Sequence, residues 1–145
     1  MTKTADVVVI GAGALGTSAA FHLAEAGVSN VVVVDKGPIG GGTTQFAAGQ
    51  TGHLRTDKLS VEFNSYCLEF LESFERRTAH EINFRQHGSL RIALTDAYHV
   101  DLQQMFDAAQ TMGLEAQFLS VDEACSMVPL MRLPDASGVL FAPRD

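Results

Sequence analysis

The segment Val7–Gly16 reads VVVIGAGALG and decides the fold of this chain. Its four β-branched residues predict a short strand, and the spacing G-x-G-x-x-G follows the strand directly. In this spacing Gly11 permits a tight turn, Gly13 lets a phosphate approach the backbone, and Gly16 lets a helix pack closely on the strand. Free N–H groups at the start of that helix favour a negative charge. The segment therefore predicts a binding site for an adenine dinucleotide.

The residues that follow complete the pattern of a βαβ unit. Residues 17–26 are mostly small or apolar, which suits a helix on a sheet, and Gly27 predicts its end. The run Val31–Val34 is continuously apolar, as expected for a parallel strand buried on both faces. Asp35 ends this strand about 20 residues beyond the glycines, where a carboxylate is expected to accept hydrogen bonds from the ribose hydroxyls. The alternative is an ordinary βαβ unit with a glycine turn.

The loop after the second strand distinguishes between two classes of dinucleotide-binding site. In a nicotinamide-binding unit a helix usually resumes here, but residues 36–44 read KGPIGGGTT, which no helix tolerates. We expect an extended loop in which Thr43 and Thr44 offer polar groups to phosphate or ribityl oxygens. Small residues continue over 47–52, as if a flat ring lay against the backbone. A surface linker is the alternative for the loop, and an NAD(P)-binding domain is the alternative for the unit.

Three segments of the chain resemble one family. The patterns VVVIGAGALG, VVVVDKG and GGGTTxxAAG are similar to those of the FAD-dependent amine and amino-acid oxidoreductases of the D-amino-acid oxidase superfamily. The resemblance is strongest to the sarcosine and dimethylglycine dehydrogenase branch, and glycine oxidase is another member. Residues 87–93 and 138–145 look like strands of the family's substrate domain. The resemblance extends over the whole chain, with its specific motifs in the first 52 residues.

The resemblance implies an α/β fold in two parts. Residues 1–80 would be the N-terminal part of a Rossmann-like FAD-binding domain of the GR2 type. Residues 81–145 would begin an incomplete α+β substrate-binding domain. Family members run to several hundred residues, so we expect a fragment or a subunit that is completed by the remainder of the enzyme or by a complementary chain.

The resemblance also implies FAD as the cofactor and a small amine or amino acid as the substrate. Sarcosine, dimethylglycine and glycine are candidates, oxidised at the C–N bond by hydride transfer to flavin. The alternative is a piece that binds FAD but is inactive alone, as a fragment or as a subunit of a split or hetero-oligomeric oxidase. The residues expected to bind FAD are Gly11, Gly13, Ala14, Leu15, Gly16, Asp35, Lys36, Gly42, Thr43, Thr44, Ala47, Ala48, Gly49, Gln50 and Thr51.

Within this set the expected roles follow the chain. The three glycines of the first turn would hold the pyrophosphate, Asp35 the adenosine ribose, and Thr43 with Thr44 the phosphate and ribityl region. Residues 47–51 would line the flavin ring. No catalytic residue and no metal site is identified in the sequence, which fits an enzyme whose cofactor carries the chemistry. The residues that bind the substrate carboxylate are expected beyond Asp145.

One position departs from the family pattern. Some members link the flavin covalently through the histidine of a T-W-H-A-A-G segment, and residues 44–49 of this chain read TQFAAG. Phe46 stands in the place of that histidine, and a phenyl ring cannot bond to the flavin. We therefore predict non-covalent FAD at this position.

The composition excludes several classes of partner. The chain has 145 residues and a net charge of −7, with no cluster of lysine and arginine, so nucleic acid is not expected as a partner. Cys67 and Cys125 fit no metal or redox spacing, and we expect reduced thiols. No apolar stretch approaches the roughly 20 residues of a membrane span. Without a targeting signal, the cytoplasm is the expected compartment.

Downstream of the glycine-rich part, the sequence predicts further helices and strands. Apolar residues at steps of three and four over 58–77 predict a helix whose apolar face packs on the FAD domain. The other predicted elements are a strand over 83–94 with a bulge or turn at Gly88, a helix capped by Thr95 or Asp96 and ended by Gly113, a strand over 115–119, a helix opened by a capping box of Ser120 and Glu123, and a strand over 138–142.

Two polar residues follow the small-residue stretch. His53 and Arg55 either face the flavin or a substrate carboxylate, or are solvated residues of a loop. The sequence leaves both interpretations open.

Overall fold

The computed structural model describes residues 4–145, which form two compact units. The first unit ends at Gly49 and the second comprises Gln50–Asp145. In the first unit β1 (Val7–Ile10), α1 (Ala14–Glu25) and β2 (Val31–Val34) follow one another, and a 3₁₀ turn covers Thr43–Phe46. The two strands are parallel and pair in register. The predicted βαβ unit is therefore confirmed.

Two expectations for the first unit were wrong. Val32, Val33 and Val34 expose 40%, 39% and 43% of their surface, although burial on both faces was expected. The reason is that α1 packs on β1 and β2, and a single helix covers one face of a sheet. The loop also does not stay extended through Thr44. Its glycines and proline exclude a helix only up to Gly42, and the 3₁₀ turn begins at Thr43.

The second unit packs helices on an antiparallel sheet. Its elements are α2 (Lys58–Thr78), β3 (Ser89–Ala93), α3 (Asp96–Thr111), β4 (Gln117–Leu119), α4 (Val121–Met127) and β5 (Gly138–Ala142). The sheet order is β3-β5-β4, with Ser89 opposite Ala142 at one end. A buried hydrophobic cluster comprises Leu54, Ala93, Leu102, Ala109, Leu140 and Ala142. This core fixes the sheet against α3.

Side chains that cap the helices explain where they begin. The hydroxyl of Thr95 accepts a hydrogen bond from the Tyr98 N–H at the start of α3. Ser120 and Glu123 form the reciprocal bonds of a capping box at α4. Both caps confirm the sequence predictions. Asp57 caps α2 in the same way by accepting from the Ser60 N–H, and this cap was not predicted.

The predicted strand over 83–94 is shorter in the structure. Asn83 has a left-handed backbone with φ of 52°, which a strand does not allow, and Gly88 has φ of 79°. The strand therefore begins only at Ser89. The strand predicted over 115–119 is likewise confined to Gln117–Leu119.

The apolar face of α2 is not buried as expected. Leu59 and Phe63 expose 76% and 64% of their surface, while the buried residues of this helix are Val61 and Leu68. The predicted domain boundary near residue 81 stays a prediction. The two compact units of the structure divide at Gly49. Among the residues the structure describes, no helix is both long and apolar enough to span a membrane.

Candidate functional site

The glycine turn at the end of β1 has a conformation that requires glycine. Gly11 has φ of 107°, a region that side chains rarely adopt, and its N–H donates to the Val34 carbonyl at 2.7 Å. A Cβ built on Gly16 would overlap the carbonyl oxygen of Gly11. Helix α1 therefore begins directly against the turn. The binding of a pyrophosphate by these glycines stays a prediction.

The hydroxyl of Thr44 lies at the N-terminus of α1. Its Oγ1 accepts a hydrogen bond from the Ala14 N–H at 2.9 Å, thirty residues away in sequence. A Cβ built on Gly13 would come within 3.1 Å of the same oxygen, so a larger residue at this position would displace the hydroxyl. A polar group is thus already placed where the helix offers free N–H donors.

The carboxylate of Asp35 joins the end of β2 to the glycine turn. Its Oδ2 accepts from the Ala12 N–H at 2.7 Å and its Oδ1 accepts from the Gly37 N–H at 2.8 Å. Both bonds lower the pKa of Asp35, and the bond from Ala12 has the larger effect. Asp35 is therefore ionised at neutral pH. Each oxygen keeps a second acceptor position for another donor. The bond to Ala12 was not predicted, although an acid directly after a strand parallel to β1 is a usable signal.

The loop after Asp35 folds back on the same turn. The Gly40 N–H donates to the Ala12 carbonyl at 2.8 Å, and the Gly41 N–H donates to the Pro38 carbonyl at 3.0 Å. A Cβ on Gly41 would overlap the ring of Pro38. The structure therefore brings the glycine turn, Asp35, the folded loop and Thr44 together within the first unit.

The other predicted residues do not join this group by any contact described. Leu15, Lys36, Gly42, Thr43, Ala47, Ala48 and Gly49 are exposed in the first unit. Gln50 and Thr51 belong to the second unit, where Gln50 is exposed and Thr51 is half-buried. Phe46 ends the 3₁₀ turn and exposes 82% of its surface. Residues 4–145 contain no group of three or more metal-ligating side chains placed to hold an ion.

A buried polar cluster lies in the second unit. His53 is 2% exposed and the side chain of Asp145 is 3% exposed. Oδ1 of Asp145 accepts from both the backbone N–H of His53 at 2.9 Å and its ring Nδ1 at 2.7 Å, while Oδ2 accepts from the Ser89 hydroxyl at 2.7 Å. Burial raises the pKa of Asp145, but these hydrogen bonds outweigh it and lower the pKa to about 2.

Arg91 completes the cluster from β3. Its Nη2 donates to the Leu54 carbonyl at 3.2 Å and lies 3.6 Å from Oδ2 of Asp145. His53 is therefore not a solvated loop residue. Arg55 is exposed and donates to the carbonyl of its neighbour Leu54. No local sequence pattern indicates this cluster, since Asp145 and His53 are 92 residues apart.

Comparison with known proteins identifies the family of this fold. The family described as FAD dependent oxidoreductase matches residues 6–145. Mouse mitochondrial sarcosine dehydrogenase is 32% identical over 146 residues, which cover 100% of this chain and 16% of that protein. Another mouse relative, the mitochondrial pyruvate dehydrogenase phosphatase regulatory subunit, is 26% identical, with 97% of this chain and 16% of that protein covered. The chain thus spans about a sixth of the length of these relatives.

A solved structure agrees with these relatives. Glycine oxidase from Geobacillus kaustophilus superposes with a TM-score of 0.82 at 26% identity, covering 97% of this chain and 39% of that chain. The mixed α/β fold expected from the sequence is therefore confirmed. With the family match extending over nearly all of its residues, the chain belongs to the family of FAD dependent oxidoreductases.

Proposed function

We propose that this chain is the FAD-binding part of an oxidoreductase that oxidises the C–N bond of a small amine or amino acid. The observation that carries the proposal is the convergence of Asp35 and Thr44 on one glycine turn, through bonds to Ala12 and Ala14. Family membership supports FAD and weighs against the NAD(P) alternative. Bound FAD supplies the group that takes up a hydride from the carbon beside the substrate nitrogen.

The first unit offers FAD a set of donors and acceptors with little side chain in the way. A Cβ on Gly11 or Gly42 would meet nothing within 4 Å, so space lies open beside the backbone there. The N–H groups at the start of α1 would face the pyrophosphate, where the helix dipole favours negative charge. The site as proposed comprises Gly11, Gly13, Ala14, Leu15, Gly16, Asp35, Lys36, Gly42, Thr43, Thr44, Ala47, Ala48, Gly49, Gln50 and Thr51.

Two of these side chains have chemistry suited to their proposed roles. Asp35 is ionised and can accept hydrogen bonds beyond the two from the backbone. It would therefore accept hydrogen bonds from the hydroxyls of the adenosine ribose. The Thr44 hydroxyl already accepts from Ala14, and its own proton remains to be donated. A phosphate oxygen at the helix N-terminus would receive that proton. Thr44 would therefore hold the phosphate together with the helix rather than compete for its place.

We propose that FAD is held without a covalent bond at Phe46. The side chain there is a phenyl ring, which has no nucleophilic atom for a bond to the flavin. Denaturing the purified protein and separating it from small molecules tests this. All flavin is expected in the small-molecule fraction, and flavin retained on a peptide that contains Phe46 would contradict the proposal.

The proposed substrates are sarcosine, dimethylglycine, glycine or a similar amine or amino acid. The names of the relatives support this class, since one acts on sarcosine and another is a glycine oxidase. We further propose that residues 1–80 serve the cofactor and residues 81–145 belong to the substrate domain. The test is anaerobic addition of each candidate to the purified flavoprotein in the presence of the remainder of the enzyme or of the complementary chain. Loss of the flavin absorption band with one of them is expected, and no loss with any of them would contradict the substrate class.

A second candidate is a subunit that has this fold but no activity of its own. The relationship to a phosphatase regulatory subunit favours this candidate, because that protein is named for regulation rather than for oxidation. Its signature is a purified protein that carries FAD, co-purifies with a second polypeptide and shows no bleaching with the substrates above. A lone, monodisperse protein that is bleached by an amine would exclude it.

A further inference from the structure

Three consecutive glycines, residues 40–42, precede the 3₁₀ turn that carries Thr44. Glycine loses more conformational freedom on ordering than any other residue, so such a run does not keep one shape by itself. The turn that follows has only four residues, and its N-cap, Gly42, makes no side-chain hydrogen bond. Short 3₁₀ segments also have poor hydrogen-bond geometry. Side-chain contacts must therefore help to fix the position of the Thr44 hydroxyl.

The side chain of Gln45 supplies such a contact. Its Nε2 donates a hydrogen bond to the Gly41 carbonyl, four residues back in the chain. The backbone N–H of Gln45 donates to the Gly42 carbonyl at 3.4 Å, so one residue of the turn binds two successive carbonyls of the glycine run. The Gly41 N–H donates to the Pro38 carbonyl at 3.0 Å. Gly41 is thus fixed through its carbonyl by Gln45 and through its N–H by Pro38.

The glycine run and the 3₁₀ turn are both attached to the segment that joins β1 to α1. The Gly40 N–H donates to the Ala12 carbonyl at 2.8 Å, and the Thr44 hydroxyl accepts from the Ala14 N–H at 2.9 Å. All of these contacts lie within the first unit. The bond from Gln45 restricts the short stretch of chain between the two attachments, and with it the place of the hydroxyl.

We propose that Gln45 is a positioning residue for FAD, whose bond to the Gly41 carbonyl keeps the Thr44 hydroxyl where it serves the phosphate. This inference rests on the proposed function. A segment that is ordered before the ligand arrives loses less conformational entropy on binding, so the bond raises the affinity for FAD. Gln45 acts through Gly41 and Thr44 and does not need to touch the cofactor.

The test is the dissociation constant of FAD, measured by flavin fluorescence at pH 7 with the remainder of the enzyme or the complementary chain present. Gln45→Met keeps the length of the side chain and removes the donor. Because the net contribution of one hydrogen bond corresponds to roughly a factor of three to ten in an equilibrium constant, we expect FAD to bind weaker by about that factor.

Gln45→Glu makes the same bond depend on pH. At pH 7 the carboxylate has no proton to donate to the Gly41 carbonyl, so FAD is expected to bind about threefold to tenfold more weakly than in the wild type. A glutamate side chain gains a proton near its ordinary pKa of about 4.3, and the acid can then donate. At about pH 4.5 we expect the defect, relative to the wild type at the same pH, to shrink to about twofold. A defect of the same size at both pH values would contradict the role of the bond.

Ile39→Glu is the matched control for the new charge. It places a carboxylate in the same loop, at a side chain that is 81% exposed. Its affinity for FAD is expected to stay within about twofold of the wild type at both pH values, because salt screens exposed charges. Equal defects in Ile39→Glu and Gln45→Glu would assign the effect to charge and contradict the inference.

The unfolding midpoint of each variant separates positioning from folding. Gln45 is exposed, so its replacement is expected to leave the midpoint close to that of the wild type, and all constants are measured well below it. Unchanged FAD affinity in Gln45→Met would overturn the inference while leaving the proposed function intact. A wild type that binds no FAD would overturn both.

Discussion

Oδ2 of Asp35 accepts a hydrogen bond from the Ala12 N–H at 2.7 Å, so the acid at the end of β2 is part of the glycine turn at the end of β1. The second oxygen holds the Gly37 N–H and with it the start of the following loop. One carboxylate therefore shapes the backbone of both segments that we propose for the cofactor. Because both oxygens are used, substitutions of Asp35 that remove its charge alone and substitutions that also remove its acceptor atoms are expected to have different effects on FAD binding.

Replacing Asp35 separates the shape of the turn from the recognition of the ribose. Asp35→Ala removes both backbone bonds and the acceptors for the ribose, and we expect FAD to bind about tenfold or more weakly. Asp35→Asn keeps one accepting oxygen and is expected to lose less affinity. Flavin fluorescence titration measures both. Asp57→Asn changes a helix cap in the second unit and serves as the control. Equal affinity in Asp35→Ala and the wild type would contradict the role of this carboxylate.

Gly16 is the position in the turn that is least able to accept a side chain. A Cβ there would overlap the Gly11 carbonyl, so Gly16→Ala is expected to lower the free energy of unfolding by about 2 kcal/mol or more. Gly42→Ala is the matched control, since a Cβ at Gly42 would meet nothing within 4 Å and its φ is negative. Its cost is expected to stay within about 0.5 kcal/mol. Urea unfolding compares the two, and similar losses would show that the close approach of α1 is not needed.

The hydroxyl of Thr44 is proposed to serve the phosphate from its place beside Ala14. Thr44→Val has nearly the same shape and no hydroxyl, so we expect FAD affinity to fall about fivefold to tenfold through the loss of one hydrogen bond. Thr44→Ser restores the hydroxyl and is expected to restore the affinity. Both constants come from the same titration. If the serine variant binds as poorly as the valine variant, the hydroxyl is not the group that matters.

Acid should weaken the second unit through Asp145. Burial raises the pKa of this carboxyl, but hydrogen bonds from His53 and Ser89 lower it from 3.8 to about 2. A group whose pKa is lower in the folded state contributes stability above its unfolded pKa and loses it as the pH falls through the folded pKa. We expect the free energy of unfolding to decline between about pH 4 and pH 2 for this reason. Urea unfolding at each pH should show a shallower decline in Asp145→Asn, and parallel curves for the two proteins would refute the assignment.

Local patterns in the sequence predicted those parts of the structure that depend on neighbouring residues. The glycine spacing predicted the turn at Gly11 and the close packing of α1 on that turn at Gly16. The capping residues predicted where α3 and α4 begin. These features need only a few consecutive residues, so the sequence alone carries them. The same holds for Gly27, which follows α1 with a positive φ.

The features that the sequence did not predict depend on register and packing. Asp145 and Ser89 meet His53 because β3 and β5 pair with Ser89 opposite Ala142, and no local pattern specifies that register. The exposure of Val32–Val34, and of Leu59 and Phe63 in α2, depends on which other elements pack against them rather than on the apolar pattern of the sequence. Asn83 shortened the predicted strand because its backbone turns left-handed.

The visible absorption spectrum of the purified protein tests the central claim most directly, before any reagent is added. The account predicts a flavin band of near-stoichiometric intensity, bound without a covalent link and released on denaturation. A protein that carries no flavin and takes up none when FAD is supplied would contradict the claim that the glycine turn, Asp35 and Thr44 form a site for FAD.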